Sequence, residues 1–350
     1  MKVMHVLNSR IYSGAEKVVC QIIKSFRDDA GMEMVYCSPE SEIVRQMLSE
    51  QDVTYLPMET MSIKELSRVI AEQKPDLIHA HDMRASFFSA LCCGKIPLVS
   101  HIHNNAYDAR GLSAKTVAYL LAGFRAKHIL WVSNSSYEGY AFHKLFAKKS
   151  SVLYNIIDVA KVREKCARDE NTYDYDAIYI GRLTYQKDPQ RLMRLCRRLA
   201  DRKPDIRIAI VGSGELEGET KALCKELALE NNVFFLGFQS NPMKILYDAK
   251  ALLLTSRWEG TPMCALEALA LGVPVVSTPT DGMVDLIGEG EDGYLSDDDA
   301  VMAEKVLAIV TDEALHERLS RNAAEKSLKI NDVATYKEAI AVHYRKHVRG

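Results

Sequence analysis

Two glutamates eight positions apart, Glu259 and Glu267, lie in the stretch SRWEGTPMCALEALALGVPVVST. The first precedes a Gly-Thr-Pro turn; the second interrupts the apolar run CALEALAL. Burying an unpaired carboxylate is costly, so Glu267 needs either a basic side chain or a ligand beside it. ALLLTS reads as a strand and RWEG as a loop. Thr261 suits a helix N-cap, Pro262 the first helical position, and Gly272 the C′ position of a helix ending near Leu271. Gly260, Thr261, Pro262 and Met263 then line a positive helix end at the carboxyl edge of a strand, where anions bind. Glu267, about one and a half turns further in, can accept hydrogen bonds from both hydroxyls of a ribose.

Two further stretches offer anion chemistry. In IYIGRLTYQKDP a strand ends at Gly181, where the lack of a side chain lets a ligand approach the backbone, and Arg182 and Lys187 follow. Two cations there can neutralise a diphosphate; a solvated basic loop is the plain alternative. In NSRIYSGAEKVV, Ser13 and Gly14 open a helix with amides for an anion. The pattern is not G-x-G-x-x-G, and no acid at the ribose distance supports a dinucleotide site.

Histidines cluster in HAH, His79 and His81, and in SHIHNN, His101 and His103. HAH reads as structural. His101 is expected to point away from His103, with Asn104 beside His103. VGSGELEG, beginning at Gly212, reads as a glycine turn of the fold with a possible backbone contact to ligand. Two D-x-D triplets, Asp174–Asp176 and Asp297–Asp299, read as structural; the second fits a helix cap. No metal is expected.

These residues need a scaffold. At 350 residues, 47% apolar and 26% charged, the chain has room for two globular domains. A net charge of −2 gives no general pull toward nucleic acid. Eight cysteines without a CxxC pair suggest reduced thiols in a cytoplasmic protein. No apolar run is long enough to span a membrane, and MKVMHVLNSR reads as a first strand rather than a signal peptide. Short β-branched runs alternate with helical segments twice over, which predicts an α/β protein with two doubly wound parallel sheets. The domains are expected at 1–165 and 170–330, with a boundary within 158–176. Between Arg84 and Lys149 nine Lys/Arg face two acids, either ordinary surface charge or a face for an anionic partner such as a membrane. FHKLFAKKS is the better membrane-facing candidate there. LSAKTVAYLLAGFRAKHILW, with Val117, Leu120, Leu121 and Phe124 at helical spacing, reads first as a helix packed on the sheet.

Taken together, the motifs resemble the retaining glycosyltransferases of family four, with the GT-B fold. EGTPMCALE resembles the family's E-x7-E motif, GRLTYQKD its G-R-L-x-x-x-K-G segment with Asp188 in place of the last Gly, and SGAEKVV its G-G-x-E loop with Ser13 for the first Gly. GVPVVSTPTDGMVDLI resembles the strand and loop that follow, with Asp285 for the usual Glu, and NIID a shortened N-G-V-D. The resemblance implies two Rossmann-like domains facing a cleft, donor nucleotide on the second and acceptor on the first, with a final helix, 333–350, crossing back to the first. It implies that Arg182 and Lys187 stabilise the departing diphosphate, Glu267 holds the ribose, Glu259 orients the donor sugar, and His103 contacts donor or acceptor. Phe238 would stack on the base or belong to the core. The implied donor is a nucleotide-sugar, UDP-sugar favoured, with no further cofactor. The acceptor would be a saccharide or lipid-linked sugar in surface polysaccharide or glycolipid synthesis. The protein would be cytoplasmic, either free or peripheral on the inner membrane face. A sugar-nucleotide epimerase and a non-catalytic GT-B binding subunit stand as alternatives.

Overall fold

The computed structural model describes residues 1–103 and 111–348. The chain divides into two compact units, Met1–Ile156 with Asp332–Gly350, and Ile157–Asn331.

In the first unit, β1 (Lys2–Leu7), α1 (Gly14–Ser25), β2 (Glu33–Pro39), α2 (Glu42–Ser49), β3 (Tyr55–Met58) and α3 (Ile63–Gln73) alternate in order. They are followed by β4 (Leu77–His81), α4 (Met83–Cys92), β5 (Leu98–Ile102), α5 (Ala114–Arg125), β6 (His128–Trp131), α6 (Asn134–Glu138) and β7 (Ser150–Val152). Serine caps set several starts: Ser62 accepts from the amide of Glu65 and Ser113 from that of Thr116. The seven strands pair in parallel in the order β3-β2-β1-β4-β5-β6-β7. Strands β4 and β5 are buried along their whole length, as expected of a parallel sheet covered on both faces.

The second unit opens with α7 (Val159–Ala167), then β8 (Ala177–Ile180), α8 (Pro189–Arg202), β9 (Ile208–Val211), α9 (Glu217–Glu226), β10 (Val233–Gly237) and α10 (Met243–Asp248). It continues through β11 (Ala251–Leu254), α11 (Met263–Ala270), β12 (Val275–Ser277), α12 (Asp281–Leu286), β13 (Gly293–Leu295), α13 (Asp299–Thr311) and α14 (Glu313–Ile330). Its six parallel strands run β10-β9-β8-β11-β12-β13. Leu192, Leu195 and Leu199 of α8, Ile208 and Ile210 of β9, Leu253 of β11 and Val306 of α13 form the core under one face. Helix α7, which the boundary near 165 would leave with the first domain, packs against α10 and α11. The last helix, α15 (Val333–Val348), belongs to the first unit. Lys337 pairs with Asp29 and the Tyr344 ring packs on Phe26 at 5.8 Å.

Both sheets are doubly wound. Strand order reverses direction between β1 and β4 in the first and between β8 and β11 in the second. Ligands in such sheets bind outside the carboxyl ends of the two strands at that reversal.

Candidate active site

The loops after β8 and β11, the two strands at the second sheet's reversal, are laced together. Thr255 Oγ1 donates to the carbonyls of Lys187 and Asp188, both at 3.1 Å. The Arg257 amide donates to Gln186 O at 2.8 Å, and Gln186 Nε2 donates to Trp258 O at 2.9 Å. Arg257 pairs with Asp188 at 2.8 Å. Asp188 takes the left-handed conformation, φ 49°, and its carboxylate caps α8 at the Arg191 amide, 3.2 Å. That explains how Asp stands where the family pattern has Gly: the position needs positive φ, which Asp tolerates, and the side chain gains a cap.

This lacing places Lys187 Nζ on Glu259 Oε1. The two side chains are 13% and 8% exposed, and Ser256 Oγ donates to the same carboxylate oxygen at 2.6 Å. Burial works against the Lys187 charge, but the Glu259 carboxylate outweighs it and holds the ammonium above its ordinary pKa. A buried cation whose charge is guaranteed by its neighbour is suited to meet a phosphate. Arg182 is exposed and forms no ion pair among the described residues.

Helix α11 begins one residue later than the sequence suggests. Pro262 is its N-cap, with ψ 126°, rather than the first helical residue, and Thr261 lies ahead of it. Gly272 has φ 72°, fitting its place after the helix. Every residue of α11 is buried, and Glu267 is 6% exposed.

Glycines bring two pairs of backbone segments into contact around these loops. A Cβ on Gly212, at φ 129°, would stand 2.0 Å from Gly181 O. The Gly212 turn is therefore packing for the Gly181–Lys187 loop. A Cβ on Gly282 would stand 1.4 Å from Gly260 O. Gly282, Ser256 and Arg257, the partner of Asp188, shape the site and were not singled out from sequence. TDGMVDLI carried the Gly282 signal, but its contact lies across the fold. Phe238 is 55% exposed, so it is not a core residue. The D-x-D triplets are occupied within the protein. Asp298 caps α13, Asp297 and Asp299 bind Arg191, and Asp176 accepts from the Arg207 amide at 2.9 Å.

In the first unit, Ser13 precedes α1, and the Glu16 carboxylate accepts from the Ser13 amide at 2.9 Å and from its Oγ at 3.0 Å. The Ser13 amide is thus committed within the chain, contrary to its expected role as a free donor. His103 follows β5, partly exposed, with Nε2 2.8 Å from His81 Nδ1. His101 does not point away from it: the two rings lie 4.1 Å apart, centre to centre. Residues two apart in a strand share a face, so the alternation invoked for His101 works the other way. His5, His79, His81 and His101 are fully buried. Burial holds all five imidazoles neutral, with His5 and His103 pushed down to about 3. Asn104 lies outside the described residues.

Two parallel α/β units with both sheets doubly wound are the architecture of the GT-B fold. The chain belongs to the group 1 glycosyltransferases: the model "Glycosyltransferase Family 4" matches residues 12–161 and "Glycosyl transferases group 1" residues 162–326. It is 31% identical over 232 residues to an uncharacterized glycosyltransferase of Methanocaldococcus jannaschii, covering 60% of this chain and 57% of that one. It is 31% identical over 196 residues to the N-acetylgalactosamine-N,N′-diacetylbacillosaminyl-diphospho-undecaprenol 4-alpha-N-acetylgalactosaminyltransferase of Campylobacter jejuni, covering 55% and 53%. The chain thus spans little more than half the length of these relatives. The fold is that of Anabaena HepE crystallised with UDP-glucose, TM-score 0.85 at 22% identity, covering 99% of this chain and 100% of that one. Among the described residues no helix is long and apolar enough to cross a membrane.

Proposed function

We propose that the chain moves a sugar, with retention of configuration, from a UDP-sugar to a lipid-linked or saccharide acceptor of a surface glycan. The observation that carries this is the buried Lys187–Glu259 pair at the carboxyl edge of β8 and β11, beside the amino end of α11. Lys187 and Arg182 take the charge that develops on the departing diphosphate, with the Gly181 backbone and the α11 end, from Gly260 to Met263, beside them. Glu259 keeps Lys187 charged and orients the sugar hydroxyls. Glu267 takes the ribose, Phe238 offers an exposed aromatic face to the base, and His103 and Gly14 are the first unit's candidates for the donor or acceptor. UDP is supported by the HepE complex and the lipid-linked acceptor by the Campylobacter relative's name.

A thermal-shift panel of UDP, GDP and ADP on wild type and Glu267→Ala tests the donor. At 100 times its Kd a nucleotide stabilises by about 2.7 kcal/mol; the expected result is a shift with UDP that the variant loses. Donor turnover with no acceptor present would instead favour an epimerase.

Peripheral membrane binding rests on α5. Its small face, with Thr116, Ala122 and Gly123, packs inward beside Tyr119, leaving Val117, Leu121 and Phe124 54%, 47% and 62% exposed. The reason is close packing: a Cβ on Gly123 would stand 2.4 Å from the Phe146 ring. Phe146 is buried, so FHKLFAKKS presents Leu145, 60% exposed, with Lys144 and Lys148. An apolar stripe rimmed by lysines suits an anionic lipid surface. Wild type should sediment with anionic liposomes but not neutral ones, and Phe124→Asp should reduce the bound fraction several-fold. Equal sedimentation with both lipids would sink the idea.

A further inference from the structure

Five histidines from three adjacent strands meet on one face of the first sheet. β1 supplies His5, β4 supplies His79 and His81, and β5 with the residue after it supplies His101 and His103. The proposed transfer chemistry uses only His103. His5 Nδ1 lies 2.9 Å from His81 Nε2, and His81 Nδ1 lies 2.8 Å from His103 Nε2. His79 Nδ1 meets the Tyr344 hydroxyl of α15 at 2.6 Å. None of the five forms an ion pair among the described residues. His101 is the unusual member. It is fully buried, and neither ring nitrogen has a hydrogen-bond partner among the described residues. His103 Nδ1 and His5 Nε2 are likewise unmatched. An unmet buried N–H or lone pair is costly, and five neutral imidazoles offer more lone pairs than the fold consumes.

We propose that His81, His101 and His103 bind one divalent transition-metal ion of the zinc class. One nitrogen from each lies within 4.8 Å of the others. Nitrogens on a tetrahedral zinc at its usual bond length stand about 3.3 Å apart, so small ring rotations close the site. Three imidazoles without a carboxylate or thiolate suit zinc, nickel, cobalt or copper rather than magnesium or calcium. His5, His79 and His81 can also converge, but all three are fully buried. The first triad has an entry side, because His103 is partly exposed. The ion replaces the His81–His103 hydrogen bond, and the His5–His81 one supplies an outer-shell partner. With the ion on His81 Nδ1, the ring carries its proton on Nε2 and donates it to His5 Nδ1, already at hydrogen-bond distance. His103 binds through Nε2 and keeps its proton on Nδ1, so the rings stay neutral and no proton is lost.

The test uses untagged full-length protein, stripped with chelator, with no donor or acceptor present, so that it stands apart from the proposed transfer reaction. Zinc is titrated by calorimetry and cobalt by visible ligand-field absorption. The expected result is one ion per chain, with a tetrahedral nitrogen-type cobalt spectrum and no thiolate charge-transfer band. His101→Asn and His103→Asn should each weaken binding at least tenfold, and His79→Gln should not. His103 is partly exposed, so its variant serves if His101→Asn does not fold. No stoichiometric binding by wild type would overturn the proposal. So would a thiolate band, or binding lost in His79→Gln and kept in His103→Asn.

Discussion

Lys187→Met is expected to lower glycosyl transfer by about 10²–10³-fold, the usual effect of removing one preorganised charge donor from a transition state. It should also destabilise the second unit by about 3–5 kcal/mol, because it leaves the Glu259 carboxylate buried without its cation. The second effect can mimic the first, so the double variant Lys187→Met, Glu259→Gln decides between them. Removing both charges should recover most of the stability, with Ser256 still bonded to the amide that replaces the carboxylate. Transfer should stay low. Recovery of both would mean that the pair only holds two loops together. Glu259→Gln alone carries a pH signature. The Glu259 carboxylate keeps the Lys187 pKa raised against the pull of burial. Without that carboxylate burial prevails and the pKa falls. The ammonium is then lost at lower pH, so the alkaline limb of the transfer rate should move down in pH. An unmoved limb would take Lys187 out of the reacting charge set.

Gly282→Ala is the second large effect, at a residue to which no contact with substrate is assigned. The added Cβ would stand 1.4 Å from Gly260 O and 2.2 Å from its carbonyl carbon. Those are backbone atoms, so no rotamer relieves the clash and the loop carrying Glu259 must move away from α12. Overpacking of this kind costs about 1–3 kcal/mol. Misplacing a positioned group by about an ångström costs on the order of 10²-fold in rate. Activity should therefore fall further than melting temperature accounts for, and UDP affinity should weaken with it. Full activity in a folded Gly282→Ala protein would show that the Gly260 loop is not held against α12 during turnover.

Much of this protein is local and was open to reading along the chain. Alternation of β-branched runs with amphipathic helices gives the order of elements, because side-chain period follows directly from backbone geometry. The E-x7-E, G-R-L-x-x-x-K and G-x-E patterns name Glu259, Glu267, Arg182, Lys187 and Gly14, because each sits within one loop and the helix it opens. Local reading failed by one residue at the start of α11, where Pro262 and not Thr261 takes the N-cap position. It also failed at His101, where the period of two was counted to the wrong face. What the folded chain alone supplies are contacts between distant segments. Lys187 and Glu259 are 72 residues apart, and their pairing depends on β8 and β11 being neighbours at the strand reversal. Gly282 matters because α12 returns against Gly260. Likewise His5 meets His81 only because β1 and β4 pair, and His81 meets His101 and His103 only because β4 and β5 do. Sequence patterns carry residue type and spacing, but the strand order that brings these groups together is set by the packing of the whole sheet.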